Sequence, residues 1–543
     1  MGDTQSPEAT PEASVALPRE ADSSVRVAAA ALVVSAGVLL SRLSGLAREI
    51  VFAHMFGVSR DTDAYVQAFR VPDLLYFLMA GGALAASFIP VLTDRLTKNK
   101  TEEAWRTLSA LFTLLLVSSS LLVAIAMVLA PALVHLVGPK FDAYTARLCG
   151  VLMRIILPAQ VFFVLGGLLM GALHSLRIFV WSALVPTTYN LFIIVGAVVG
   201  GPHLGVKGMA IGALAGALAA QIGLQLPVVA GRGAVVRLRW DPKDPGLLEV
   251  LRLVLPVALG LCVFYLNTLI ASVIAQTLAK GAASVFNYAF RLINLPLGLF
   301  TGGLAMSLFP TLSSHAARGE PEEFRRRVSQ GIRLTLFLEL PAAGWMVALS
   351  GVLVRALLLT GHFTEADVGK TAALLALFAL AIPAVGTQQL VARAFYALRR
   401  NVIPVAVGAP TVAVGAGLTY LLSQWLGLPG VGLGQSLVAL ANVAVLLWLL
   451  RQCAGGLHGG QIVRTGLLSL LCTLVAVVAG YACVRWMGSA WPPLHKTAQV
   501  LQMLASIGVS SALYLALAFA LRMREATFAL DFLRSRLLRR AQA

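Results

Sequence analysis

Charge is what this chain has least of. Only 12% of its 543 residues are Asp, Glu, Lys or Arg and 58% are hydrophobic, whereas about a quarter of a soluble domain is charged. Mean hydropathy is +0.84. The shortage excludes a water-soluble globular protein and leaves an integral membrane protein. Cysteine is scarce too: Cys149, Cys262, Cys453, Cys472 and Cys483 stand without C-x-x-C spacing and read as small buried hydrophobes. The eight histidines form no H-E-x-x-H or related pattern, so a metal centre has no support. The apolar stretches run too long, and lack the alternation, for the strands of a membrane barrel. Residues 1–24 lack the basic start and apolar core of a signal peptide. Rich in Ala, Pro, Ser and Glu, they are expected to form a disordered cytoplasmic tail.

What the chain has in abundance is spans. A bilayer core of about 30 Å takes about 20 apolar residues per helix. Cutting at Gly, Pro and charge clusters gives about fourteen such stretches, the first over residues 27–57 and the last over 496–521. The fold class expected is therefore all-α integral membrane. Lys and Arg gather in alternate loops: Arg95, Lys98, Lys100 and Arg106, then Arg232, Arg237, Arg239 and Lys243, then Arg318 and Arg325 to Arg327, then Arg399 and Arg400. By the positive-inside rule these loops and both termini face the cytoplasm. The net charge of +18 is thus spent on topology, and no nucleic acid is expected. The last stretch, "LRMREATFALDFLRSRLLRR", interleaves six arginines with Phe528, Phe532, Leu533 and Leu537. It reads as a basic amphipathic tail over 524–543, with anionic lipid as its counter-charge; a solvated basic tail is the alternative.

One segment occurs twice. "AFRVPDLLYFLMAGGALAASFIP" begins at residue 68 and "AFRLINLPLGLFTGGLAMSLFP" at residue 289, so Arg70 and Arg291 correspond at a separation of 221 residues. Six spans lie between corresponding points, and an even number leaves both copies facing the same way. Two parallel six-helix lobes follow, an N-lobe over 25–231 and a C-lobe over 232–455, with two further C-terminal helices over 456–523. Transporters built this way carry the substrate between their halves. Pro72 and Pro296 should kink their helices, and the pairs Gly81-Gly82 and Gly302-Gly303 suit close helix approach or hinging.

A charge inside a span costs about 2.5–3.5 kcal/mol on insertion scales, so each one marks a cavity or pathway by default. Arg42, Arg48 and Glu49 lie in the first span, Asp63, Arg70 and Asp73 in the second, and Arg154, Arg291 and Arg393 stand alone. In "SRLSGLARE", Ser41, Ser44 and Arg48 share a helical face, and Gly45 lets the helix bend enough to bring Arg42 into the same cavity. These arginines outnumber the neighbouring acids Glu49 and Asp63. The guanidinium fork suits a pyrophosphate, offering two parallel hydrogen bonds and a permanent charge. The competing reading is that the arginines pair with Glu49 and Asp63 only to hold helices together. Where the first lobe is charged the second has "YLNTLIASVIAQTLAKG", with Asn267 as its main interior polar group. Of the repeated arginines, Arg291 is expected on the substrate, and Arg70 as its structural counterpart.

"SRLSGLAREIVFAHMFG", "TDAYVQAFRVPDLL", "GGALAASFIPV" and "NYAFRLINLPLG" together resemble the MurJ (MviN) lipid II flippases of the MOP exporter superfamily, over about residues 27–523. The resemblance implies fourteen helices in two lobes forming a V, in the bacterial inner membrane. Its implied activity is moving undecaprenyl-pyrophosphate-linked peptidoglycan precursor from the cytoplasmic to the periplasmic leaflet for cell-wall synthesis. By position it assigns Arg42, Arg48, Glu49, Asp63 and Arg291 to substrate handling. Arg70 and Asn267 complete the expected site set.

Two departures from the family stand out. Tyr76 and Gly81 occupy positions where some members have Arg and Glu, and "VIPVAVGAPTVAVGAGLTYLL" lacks the Asn and Asp that some use for sodium. No cofactor is expected, sodium coupling is put in question, and the membrane potential remains as a bias on moving cationic side chains. An exporter of other lipid-linked oligosaccharides or of drugs is the nearest alternative, although a cationic drug calls for acids in place of arginines. An enzyme on prenyl phosphates would need a carboxylate cluster or an activated nucleophile, and the spans offer neither.

Overall fold

The structure, a computed structural model, describes residues 23–79, 83–233, 236–241, 244–490 and 495–527. Among them the chain is helical, with no strand. The N-terminal tail to residue 22, Gly81-Gly82 and residues 528–543 of the basic tail lie outside the described residues.

The helices are α1 (Ser23–Phe56), a broken α2 (Arg60–Ala68, Arg70–Met79 and Ala83–Thr97) and α3 (Thr101–Val128, continued by Ala130–Val137). There follow α4 (Ala143–Ser175), α5 (Val180–Leu204) and α6 (Val206–Ala230). The second half comprises α7 (Pro245–Leu278), α8 (Ala282–Ala317), α9 (Pro321–Ala348, continued by Ser350–Leu358) and α10 (Glu365–Ala379 with Ile382–Ala397). The last four are α11 (Val402–Leu426), α12 (Leu428–Cys453), α13 (Gly459–Ala490) and α14 (Lys496–Ala520). Ten helices among the described residues are long and apolar enough to cross a membrane, or eleven if the two pieces of α10, bent by 43°, form one span. The expected fourteen stretches each fall on a helix or on its pieces.

Local chemistry sets the breaks. Ser59 and Thr62 form a capping box that starts α2, and Asp142 and Asp244 cap α4 and α7 by accepting from Thr145 N and Leu247 N, which satisfies backbone donors that a helix start leaves free. α2 breaks at Phe69, just before Pro72. In α8, Pro296 is followed by a π turn at Leu297–Thr301, a feature that recurs at functional sites. A Cβ at Gly302 or Gly303 would meet nothing within 4 Å, so these glycines border open space here and do not serve helix contact.

Three apolar cores explain the shape. One lies in the first half, among Leu84, Phe88, Leu108, Leu168 and Leu173; a second lies in the other half, among Leu312, Val328, Leu390 and Leu450. Both sit toward the basic loops. The third is shared: Phe52, Tyr65, Met153, Phe286, Tyr288 and Phe363 bring both halves into one cluster at the opposite end. Separate cores at one end and a common core at the other make a V. α7 packs on α2 as well as on α11, while α13 packs on α9 and α14. Arg333 of α9 and Glu525 pair at 3.0 Å with both side chains largely buried. Residues 524–527 form a helical turn that Glu525 anchors to the bundle.

Candidate functional site

Between the halves, at the fork of the V, lies a cavity of about 190 Å³ lined by Ser41, Arg42, Arg48, Glu49, Asn190 and Arg291. α1 brings Arg42, Arg48 and Glu49, α5 brings Asn190 and α8 brings Arg291. Arg48 Nη2 donates to Glu49 Oε1 at 2.6 Å, and Arg291 Nε lies 3.5 Å from the same oxygen. One carboxylate oxygen therefore joins an arginine of each half. Arg48 Nη1 donates to Asn190 Oδ1 at 3.0 Å, and Asn190 Nδ2 donates to Ser44 Oγ at 3.1 Å. The arginine head is thus held from two sides, with its plane fixed.

Arg42 reaches the cavity from further along α1. Its guanidinium lies where a Cβ on Gly298 would stand, so the glycine in the π turn of α8 is what admits it. Three arginines face one glutamate in this lining, and the excess positive charge suits a polyanion. Arg42 and Arg291 are the exposed members; the Arg291 side chain is half open at 51%, against 14% for Arg48 and 9% for Glu49. Apolar residues flank the approach: Leu39 and Leu43 of α1 are 53% and 56% exposed, and Leu299 of α8 is 62% exposed. The opening between α1 and α8 is therefore oily at its sides and cationic at its end.

Three expected site residues sit elsewhere. Asp63 accepts from Gly281 N, Ser284 N and Ser284 Oγ at 2.6, 2.8 and 2.7 Å, so it caps the start of α8 at the closed end of the V and, among the described residues, pairs with no arginine. Arg70 is 6% exposed; its Nε donates to Ser272 Oγ at 3.1 Å, within the α2–α7 packing. Asn267 donates to Gln435 Oε1 at 2.8 Å, joining α7 to α12. None of the three lines the cavity. Tyr76 packs edge-on to Phe77 and Phe163, so an aromatic cluster takes the position where the family resemblance suggested an arginine.

Asn190 and Tyr288 line the cavity but carry no charge, and only the i, i+3, i+7 face of α1 hinted that a polar partner was needed. A missed charge is Glu339, fully buried in α9. It was legible as an acid within "TLFLELPAAG".

The closed end carries further cross-links. His362 N donates to His54 O at 3.0 Å, Tyr288 Oη donates to Gly57 O at 3.2 Å, and Lys140 Nζ donates to Thr277 O at 2.9 Å. Gly57, at φ +58°, lies against the His362 backbone, a conformation and an approach that both favour glycine.

A family model described as "Lipid II flippase MurJ" matches residues 52–501. A probable lipid II flippase MurJ of Bdellovibrio bacteriovorus is 30% identical over 505 residues, covering 91% of this chain and 95% of its own. The lipid II flippase MurJ of Burkholderia cenocepacia is 30% identical over 431 residues, covering 78% and 83%. Among solved structures, a lipid II flippase MurJ in an inward closed conformation superposes with a TM-score of 0.74 at 22% identity, covering 90% of this chain and 99% of that one. An inward-facing MATE family multidrug resistance transporter of the MOP superfamily gives 0.66 at 16% identity, covering 78% and 98%.

Proposed function

This chain belongs to the MurJ family of lipid II flippases, and from that premise we propose that Arg48, Arg291 and Arg42 hold the pyrophosphate of lipid II while it crosses between leaflets. The carrying observation is the Glu49 carboxylate bridging Arg48 and Arg291 across the two halves. A pyrophosphate entering the cavity competes with Glu49 for both guanidiniums and offers each a bidentate partner, which a single shared carboxylate oxygen does not. Binding therefore loosens this charged link between the halves at the fork. This is the differential interaction that an alternating-access cycle needs.

The polyprenyl chain stays in the bilayer, against the exposed apolar faces of α1 and α8 that flank the cavity. With the basic loops cytoplasmic, the open end of the V faces the cytoplasm and the end latched by Asp63 faces the periplasm. An inward-negative potential then biases the movement of the cationic site. Two parallel lobes are the moving bodies, and anionic lipid is the counter-charge for the arginines of the C-terminal tail. Membership of a flippase family fits transport without covalent chemistry, and the cavity lining offers no nucleophile paired with a base.

Complementation tests the assignment. Arg48→Ala and Arg291→Ala should each abolish rescue of a cell depleted of its own lipid II flippase while inserting in the membrane at wild-type level. Full rescue by both would overturn it.

A further inference from the structure

Glu339 takes no part in the arrangement described above, yet among the described residues it is the most deeply buried acid, with 0% exposure in the middle of α9. Its Oε1 receives a hydrogen bond from the hydroxyl of Thr301, the last residue of the π turn in α8. Its Oε2 is buried without a partner. The carboxyl group lies flat on α10 at Gly386, occupying the space a Cβ there would need.

No cation balances it. Among the described residues Glu339 forms no ion pair, and the Thr301 hydroxyl is its hydrogen-bond partner. On α9, Arg333 is committed to Glu525. On α10, Arg393 and Tyr396 lie about two and three turns beyond Gly386, Glu365 pairs with Arg355, Asp367 is bonded to Thr364 and Lys370 is exposed. On α8, Arg291 belongs to the cavity, while His315, at the far end of that helix, meets Glu320. From α14, Tyr514 reaches the carbonyl of Phe337, and Cys472 of α13 belongs to that same cluster. On α13, Arg464 is exposed.

A bare carboxylate with one hydroxyl partner is not stable in such a place. A metal ion would need several oxygen ligands, and here there are one carboxyl group and one hydroxyl, seated too tightly against Gly386 to admit more. A proton needs no such shell. We propose that Glu339 is a proton-binding site whose occupancy holds the inward-facing, latched form of the transporter.

The coupling runs through the π turn. Gly298, at one end of that turn, receives the Arg42 guanidinium from the first half, and Thr301, at the other end, is held by Glu339 of the second half. A polyanion that draws Arg42 away frees one side of the turn. Loss of the proton acts on the other side through hydration, not through the Thr301 hydrogen bond: the O–H bond of Glu339 breaks, the electron pair stays on the carboxylate, and the proton passes to water admitted as α8 and α9 part. The ionised form then requires the water that the latched form excludes. This role does not depend on which lipid-linked cargo is carried.

Two measurements on the full-length protein in lipid bilayers, without cargo, test the proposal. At about pH 7 an ordinary carboxyl is ionised, so the infrared C=O stretch of a protonated carboxyl should be present in the wild type and absent in Glu339→Gln. Spin labels across the latched end should show the closed-to-open ratio falling as pH rises, by up to about tenfold per pH unit for one proton. Asp63, His54 and His362 also lie at that end, so the part of the slope missing in Glu339→Gln is the quantity read. Absence of the protonated band in the wild type, or the same pH slope in wild type and Glu339→Gln, would overturn the proposal. Should the Gln variant fail to insert, the wild-type band and its loss of intensity in the opened state carry the test alone.

Discussion

Asp63 on α2 is the N-terminal cap of α8, a helix in the opposite half of the protein: its carboxylate receives both Gly281 N and Ser284 N, at 2.6 and 2.8 Å. A cap is ordinarily supplied by the helix's own preceding residue. Here it is lent across the interface, so α8 keeps a satisfied first turn only while the V is closed at that end. Replacing a cap with Ala costs about 0.5–2 kcal/mol. Asp63→Ala should therefore shift the closed-to-open ratio about 2- to 30-fold toward open, as read by distance measurements between labels near Lys140 and His362. An unchanged distance distribution would mean that the latch lies elsewhere.

The repeated arginines should separate cleanly. Arg70 is buried in the α2–α7 packing, so Arg70→Ala leaves Ser272 and the Asp73 region without their partner and should lower thermal stability by about 3 kcal/mol. Arg291→Ala, at a half-exposed site, should leave stability within about 0.5 kcal/mol and abolish transport. Thermal denaturation in detergent beside a complementation assay distinguishes the two. Equal loss of stability in both would contradict the division.

Asn190 is a positioning residue for Arg48. Asn190→Ala should weaken lipid II binding about tenfold, because one good hydrogen bond to a charged group is worth about 1.5 kcal/mol or more. Asn190→Gln should not rescue it, since the longer side chain cannot meet Ser44 and Arg48 together. Native mass spectrometry of the bound lipid would read the change.

The pair of Arg333 and Glu525 ties the segment after α14 to α9. Glu525→Ala leaves a buried guanidinium unpaired and should cost about 3–5 kcal/mol, whereas joint replacement with Met and Leu should restore most of it. Denaturation midpoints of the single and double variants decide this.

Much of the fold was legible because a bilayer imposes one rule on every span, and a run such as Val402–Leu426 obeys it visibly. Breaks were legible where proline causes them, as at Pro72 and Pro296. The site was half legible. Arg42, Arg48, Glu49 and Arg291 announce themselves as charges in an oily sequence, but which acid meets which arginine is decided by helix packing that spacing does not encode. Asp63 and Glu49 look alike as acids near arginines, yet one caps a helix and the other bridges the halves. Asn190 carries no charge and gave no local signal. Glu339 did give one, and it was the absence of a partner in three dimensions that marked it out.

The central claim is that this chain moves lipid II across the membrane through the Arg48–Glu49–Arg291 site. Its most direct test is the accessibility of lipid II at the outer leaflet in cells where this protein is the sole flippase and can be depleted. Depletion should abolish outer-leaflet lipid II while the inner-leaflet pool accumulates, and Arg291→Ala should behave like depletion. Outer-leaflet lipid II persisting at its original level after depletion would contradict the account.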